Sequence, residues 1–139
     1  MCIRDRIKGV EKPDEYVILS AHFDSWDGGQ GTTDNGTGSI VMLEAMRILK
    51  KLYPNPKRTI MVGHWGSEEQ GLNGSRAFVE DYPSIVDNIQ ALFNQDNGTG
   101  RVVDLSGSGF LHSYDYLSRW LAPVPVSYTH LTLPTKRIV

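Results

Sequence analysis

Tyr16-Val17-Ile18-Leu19-Ser20-Ala21-His22-Phe23-Asp24 runs from a continuous apolar stretch straight into an imidazole and a carboxylate. A short unbroken run of this kind suits a strand buried on both faces, as in a parallel sheet covered by helices. Thr59-Ile60-Met61-Val62-Gly63-His64-Trp65 repeats the pattern ahead of Glu68 and Glu69, and Ala91-Leu92-Phe93 is a weaker third run ahead of Asp96. Between the first two, Ile40, Leu43, Met46, Ile48 and Leu49 mark the apolar stripe of a helix that stops before Pro54 and Pro56. Strand, helix, strand at this spacing predicts a right-handed crossover between parallel neighbours. Further helices are expected over 75–82, closed by Pro83, and over 112–121, so the interior reads as one α/β unit.

The polar residues that follow the strands carry the chemistry. His22 and Asp24 point to one side of an extended segment, so the Asp24 carboxylate is placed to accept the imidazole N–H and fix its tautomer. Asp34 lies beyond Gly28-Gly29-Gln30-Gly31, a stretch flexible enough to bring a carboxylate back over the strand ends as a bridge between two cations. Its plainer role is an Asx-turn or a helix N-cap before Gly36. Adjacent residues leaving a strand point in different directions, so one of Glu68 and Glu69 is free to bind metal while the other faces a reacting water. Either also suits the solvated first turn of a helix. Asp96 ends the third strand, in a second copy of the Asp-Asn-Gly-Thr-Gly sequence found at 34–38. Singly each residue has an ordinary explanation; gathered at successive strand ends, they point to a metal site.

Both ends of the chain read differently from its middle. Met1 to Asp5 can be encoded by DNA whose reverse complement encodes Val126-Ser127-Tyr128-Thr129-His130, as inverted library adapters would be. Residues 1–6 and 126–139 are therefore expected to be adapter scars, with 7–125 a partial catalytic domain. Setting aside Arg4, Arg6, Lys136 and Arg137 against Asp5 leaves 10 basic and 15 acidic residues, a charge of −5. That balance gives no footprint for nucleic acid. The single cysteine, Cys2, lies in the set-aside end, and no apolar run is long enough to span a bilayer.

The motifs His22 to Gly38 (His-Phe-Asp-Ser-Trp-Asp-Gly-Gly-Gln-Gly-Thr-Thr-Asp-Asn-Gly-Thr-Gly), Pro56-Lys57-Arg58-Thr59 and Trp65-Gly66-Ser67-Glu68-Glu69-Gln70-Gly71-Leu72 resemble the co-catalytic di-zinc exopeptidases, metallopeptidase family 28. The stretch from Asp24 to Gly31 is most similar to the carboxypeptidase Q, or plasma glutamate carboxypeptidase, branch. The resemblance covers about Val17 to Asp96. It implies a three-layer αβα zinc-exopeptidase-like fold with a mostly parallel central sheet, incomplete at the C-terminus. It implies two zinc ions, one held by His22, Asp34 and Asp96, the other by the shared Asp34 and by Glu69. Glu68 would be the general base, Asp24 the partner that orients His22, and the reaction hydrolysis of a terminal bond of a short peptide by a metal-activated water. The family completes its second zinc with a later histidine, and neither His64, His112 nor His130 matches that motif. The resemblance also implies an exported, secreted or periplasmic parent.

Two other classes compete. A non-catalytic binding or scaffold relative would keep the fold and shed ligands, yet every ligand expected in this span is present. A nucleotide-binding loop at Gly28 to Gly38 lacks the Gly-Lys-Ser/Thr ending that such a loop needs.

Overall fold

The computed structural model describes residues 3–100, 102, 105–107 and 109–124. They fall in two compact units, one within 1–99 and one within 100–139. In the first, chain order is β1 (Ile3–Ile7), β2 (Lys12–His22), α1 (Gly36–Leu52), β3 (Arg58–Trp65), α2 (Asn73–Asp81), α3 (Pro83–Val86) and β4 (Ile89–Asn94). In the second, α4 spans Ser113–Leu121, with Arg119 stacked over the Tyr116 ring at 4.9 Å. The adapter scar expected at 126–139 lies outside the described residues.

The four strands form one sheet in the order β1-β3-β2-β4. β2 runs parallel to both neighbours, Ala21 opposite His64 on one side and Ser20 opposite Asn94 on the other. β1 is antiparallel to β3, with Ile3 opposite His64 and Ile7 opposite Ile60. Setting residues 1–6 aside therefore omitted an edge strand. Its pairing is made by main-chain groups, which any extended sequence supplies, so the strand is silent on the origin of its DNA.

Side chains alternate across β2 and β3 and build two cores. Leu19, Ala21, Ile60 and Val62 face α1, which buries Met42 and Met46 against them. Ile18, Met61 and Trp65 face the other way and meet Phe78 of α2 and Ile85 and Val86 of α3. The Trp65 and Phe78 rings lie 5.2 Å apart. Helix, sheet and helices thus form the three layers expected of the fold. The apolar stripe assigned to α1 is corrected, because Ile40, Leu43 and Ile48 are exposed and the buried line runs through Gly38, Ser39, Met42 and Met46. Pro83 does more than close a helix; at the first position of α3, where its missing N–H costs nothing, it opens the next one.

From β2 the chain crosses through α1 to β3 on one side, then returns through α2 and α3 to β4 on the other. The direction of winding reverses at β2. In open α/β sheets that switch point leaves a crevice beyond the carboxyl ends of the strands, and ligands bind there.

Candidate metal centre

His22 is the last residue of β2, and its ring is only 2% exposed. Ser39 on the first turn of α1 donates its hydroxyl to the His22 carbonyl at 3.0 Å, so the strand end is tied to the helix above it. The imidazole Nε2 lies 3.0 Å from Asp34 Oδ1 and 3.1 Å from Asp96 Oδ1, and Glu68 Oε2 is 3.9 Å away. Three carboxylates from three separate loops thus surround one ring nitrogen. Asp34 arrives from the segment before α1, where the Asp34–Asn35 peptide is cis, and Asp96 from the second residue after β4.

The glutamate pair is held by a tight turn. After Trp65 the chain passes through Gly66 and a left-handed Ser67, and the amides of Asn73 and Gly74 return to the carbonyls of Ser67 and Gly66. A Cβ at Gly74 would collide with the Gly66 carbonyl, so only glycine allows that closure. Within the turn, Asp24 Oδ1 accepts the Glu68 N–H at 3.0 Å and Oδ2 accepts the Glu69 N–H at 3.2 Å.

This corrects the contact expected of Asp24. His22 Nδ1 meets the backbone carbonyl of Asp24 at 3.0 Å, while the carboxylate is 3.7 Å away. The backbone carbonyl takes the ring nitrogen, and the carboxylate takes the two amides. Burial alone would raise the Asp24 pKa, but those amides, together with the Asp24 N–H and the charge of His22, hold it below the ordinary value.

The other perturbed groups follow from crowding. Burial pulls the His22 imidazole down, yet the charges of Asp96 and Glu68, with hydrogen bonds to the Asp24 carbonyl and to Asp34, leave its pKa raised. Glu69 is pushed up by desolvation first and by the charge of Asp34 second. One imidazole cannot balance Asp24, Asp34, Glu68, Glu69 and Asp96, whereas divalent cations among them would. Two sets of donor atoms, His22 with Asp34 and Glu69, and His22 with Glu68 and Asp96, each converge within 4.8 Å. Nitrogen and carboxylate oxygen are the donors zinc takes, so the residues present fit it. Both glutamates lie within ligand reach.

A cleft of about 250 Å³ opens beside this cluster on the α2 side of the sheet, lined among others by Ser20, His22, Trp65, Glu68, Asn94 and Asp96. At its floor the buried Ser20 hydroxyl donates to Asn94 Oδ1 at 2.7 Å. All six residues singled out in the sequence, His22, Asp24, Asp34, Glu68, Glu69 and Asp96, therefore come together. No further histidine joins them among the described residues. His64 faces the α1 side with its ring 5.9 Å from Phe23, His112 precedes α4 in the second unit, and His130 lies outside the described residues. Sequence reading missed Asn35, which caps α1 and also reaches the Asp96 strand end. An asparagine directly ahead of Gly36, where α1 begins, was the available signal.

Comparison with known proteins finds peptidases. Carboxypeptidase Q of Xenopus laevis is 40% identical over 93 residues, which are 67% of this chain and 20% of that protein. The aminopeptidase NAALADL1 of Rattus norvegicus is 43% identical over 82 residues, 56% of this chain and 11% of its own length. This chain thus spans about a fifth or less of these relatives. Among solved structures, a zinc aminopeptidase from Bacillus subtilis superposes with a TM-score of 0.77 and 27% identity over 95% of this chain and 34% of its own. A peptidase M28 precursor from Shewanella amazonensis gives 0.69 and 29%, over 86% and 28%. The family profile itself aligns with residues 4–124, nearly the whole described chain, and on that span the protein belongs to peptidase family M28.

Proposed function

We propose that this chain carries most of the active centre of a zinc-dependent exopeptidase that releases a terminal residue from short peptides. The observation that carries the reading is the convergence of His22, Asp34 and Asp96 at the switch point, with Glu68 3.9 Å from the same imidazole nitrogen. His22, Asp34 and Asp96 would hold one zinc, and Asp34 and Glu69 would hold a second. Zinc bound there would polarise the peptide carbonyl and lower the pKa of a bound water.

The remaining work falls to the chain itself. Glu68 takes the proton of the attacking water and returns it to the departing amine. Asp24 supports that role by fixing the turn on which Glu68 sits. His22 presents Nε2 to the cluster because Nδ1 donates to the Asp24 carbonyl. The cleft beside Glu68 gives a substrate side chain room next to the reacting bond.

The test is Glu68→Gln in a protein carrying this segment at full length. Loss of general base catalysis typically costs on the order of 10²–10⁴ in kcat, with zinc content unchanged. Turnover near that of the wild type would remove Glu68 from the role of base, and loss of zinc along with turnover would make it a ligand.

A further inference from the structure

The Asn35 side chain is 2% exposed and spends its two ends on different parts of the fold. Oδ1 accepts the Gly38 N–H at 3.0 Å, capping α1. Nδ2 donates to the Gln95 carbonyl at 2.8 Å, across 60 residues of sequence. Asn35 follows Asp34 and Gln95 precedes Asp96, so one buried amide joins the backbones that carry the two carboxylates flanking His22 Nε2. A helix cap needs only the acceptor. The donor half is surplus to capping, and its target is the loop bearing the opposite carboxylate.

Two neighbours reinforce the tie. A Cβ on Gly38 would strike both Asn35 Oδ1 and the Gln95 carbonyl, so the helix start approaches β4 at the closest distance glycine permits. Gln95 is set from the other side, its N–H donating to the Ser20 carbonyl at 2.9 Å. The carbonyl that Asn35 grips therefore belongs to a residue whose own N–H is tied to β2, one position beyond the end of β4.

We infer that Asn35 is a positioning residue for the metal centre, a clamp that holds Asp34 and Asp96 at the spacing needed to share a cation with His22. This rests on the metal reading of the site given above. Without the clamp, each carboxylate would have to be gathered at the moment of binding, and the entropy of ordering two loops would come out of metal affinity. Interactions behind metal ligands are typically worth ~10- to 100-fold in affinity. By reciprocity, whatever metal gains from the clamp the clamp gains from metal.

The experiment uses the whole chain titrated with Co²⁺, read by calorimetry and by the visible absorption of the bound ion, for wild type, Asn35→Ser and Asn35→Ala. Serine retains the capping acceptor but has no amide to reach Gln95. Expected is an apo unfolding midpoint for Asn35→Ser close to wild type, with cobalt affinity lower by ~10- to 100-fold and a changed spectrum. Cobalt binding equal to wild type in Asn35→Ser would overturn the clamp and leave Asn35 a helix cap. Should the variants fail to fold, wild type still decides, because zinc must then slow exchange of the Asn35 side-chain amide protons; exchange indifferent to zinc, while His22 resonances shift, overturns the inference. Wild type that binds neither ion would bring down the metal reading and the clamp together, whereas tight wild-type binding with an unaffected Asn35→Ser sinks the clamp alone.

Discussion

The Asp24 carboxylate accepts the backbone N–H of Glu68 at 3.0 Å, and its second oxygen takes that of Glu69. A residue two positions beyond β2 thereby fixes a turn that follows β3. Asp24→Asn keeps the shape but offers one acceptor oxygen where two amides need partners. Hydrogen bonds to a charged group are worth about 1.5–3 kcal/mol, and a loss in that range is expected in chemical denaturation. Amide exchange at Glu68 and Glu69 should quicken while that of β2 holds. Unchanged exchange at both amides would contradict the assignment.

Phe78 packs α2 against the sheet, 4% exposed, its ring tilted against those of Trp65 at 5.2 Å and Tyr82 at 5.5 Å. Truncating a buried phenylalanine typically costs about 3–5 kcal/mol, part transfer and part cavity. Phe78→Ala should therefore destabilise the first unit by that order in denaturant titration, whereas Leu52→Ala, at a side chain 73% exposed, should stay within about 0.5 kcal/mol. Equal effects would mean that the α2 layer is not packed as described.

Where burial and pattern agreed, the sequence was enough. β2 and β3 are covered on both faces, and their apolar runs stand out without alternation. β4 was faint because Leu92 and Phe93 remain 47% and 38% exposed and the run is short. β1, Ile-Arg-Asp-Arg-Ile, pairs through its main chain and carries no strong apolar signal. The face of α1 was misread because Ile40, Leu43 and Ile48 are as apolar as the methionines that do the packing; composition ranks them alike, and only the sheet decides which turn inward.

The site was legible as a set, since carboxylates and an imidazole gathered after successive strands stand out where each alone has an ordinary explanation. Their contacts were less so. Asp24 was expected to grip His22 with its carboxylate, but its backbone carbonyl meets the ring while the carboxylate meets the amides of Glu68 and Glu69. The cap suspected of Asp34 belongs to Asn35. With capping done by its neighbour, the Asp34 side chain is left free to face His22.

A metal that binds the folded chain must also stabilise it. Free zinc at a hundredfold above its dissociation constant adds about 2.7 kcal/mol. Thermal unfolding of wild type and of Glu68→Gln is expected to shift upward with zinc and to return with a chelator, while His22→Ala, which removes the imidazole common to both donor sets, should not respond. A full zinc response in His22→Ala would place the ion elsewhere.

His64 offers a pH test independent of the metal centre. It is 3% exposed on the α1 side of the sheet, and among the described residues neither ring nitrogen has a hydrogen-bond partner. Burial holds its pKa below the ordinary value, so folding favours the neutral ring. Above about pH 6.5, the usual histidine pKa, folded and unfolded chains are both neutral there and His64 confers no pH dependence. As pH falls below that value the unfolded chain takes up a proton that the folded chain refuses, and stability drops until the lowered folded pKa is reached. His64→Leu, apolar and similar in volume, removes this uptake. Its denaturation free energy should therefore fall less than wild type between pH 7.5 and 5.5, while contributions from His22 and the carboxylates cancel in the comparison. Parallel pH profiles for the two proteins would mean that His64 is solvated or paired in solution.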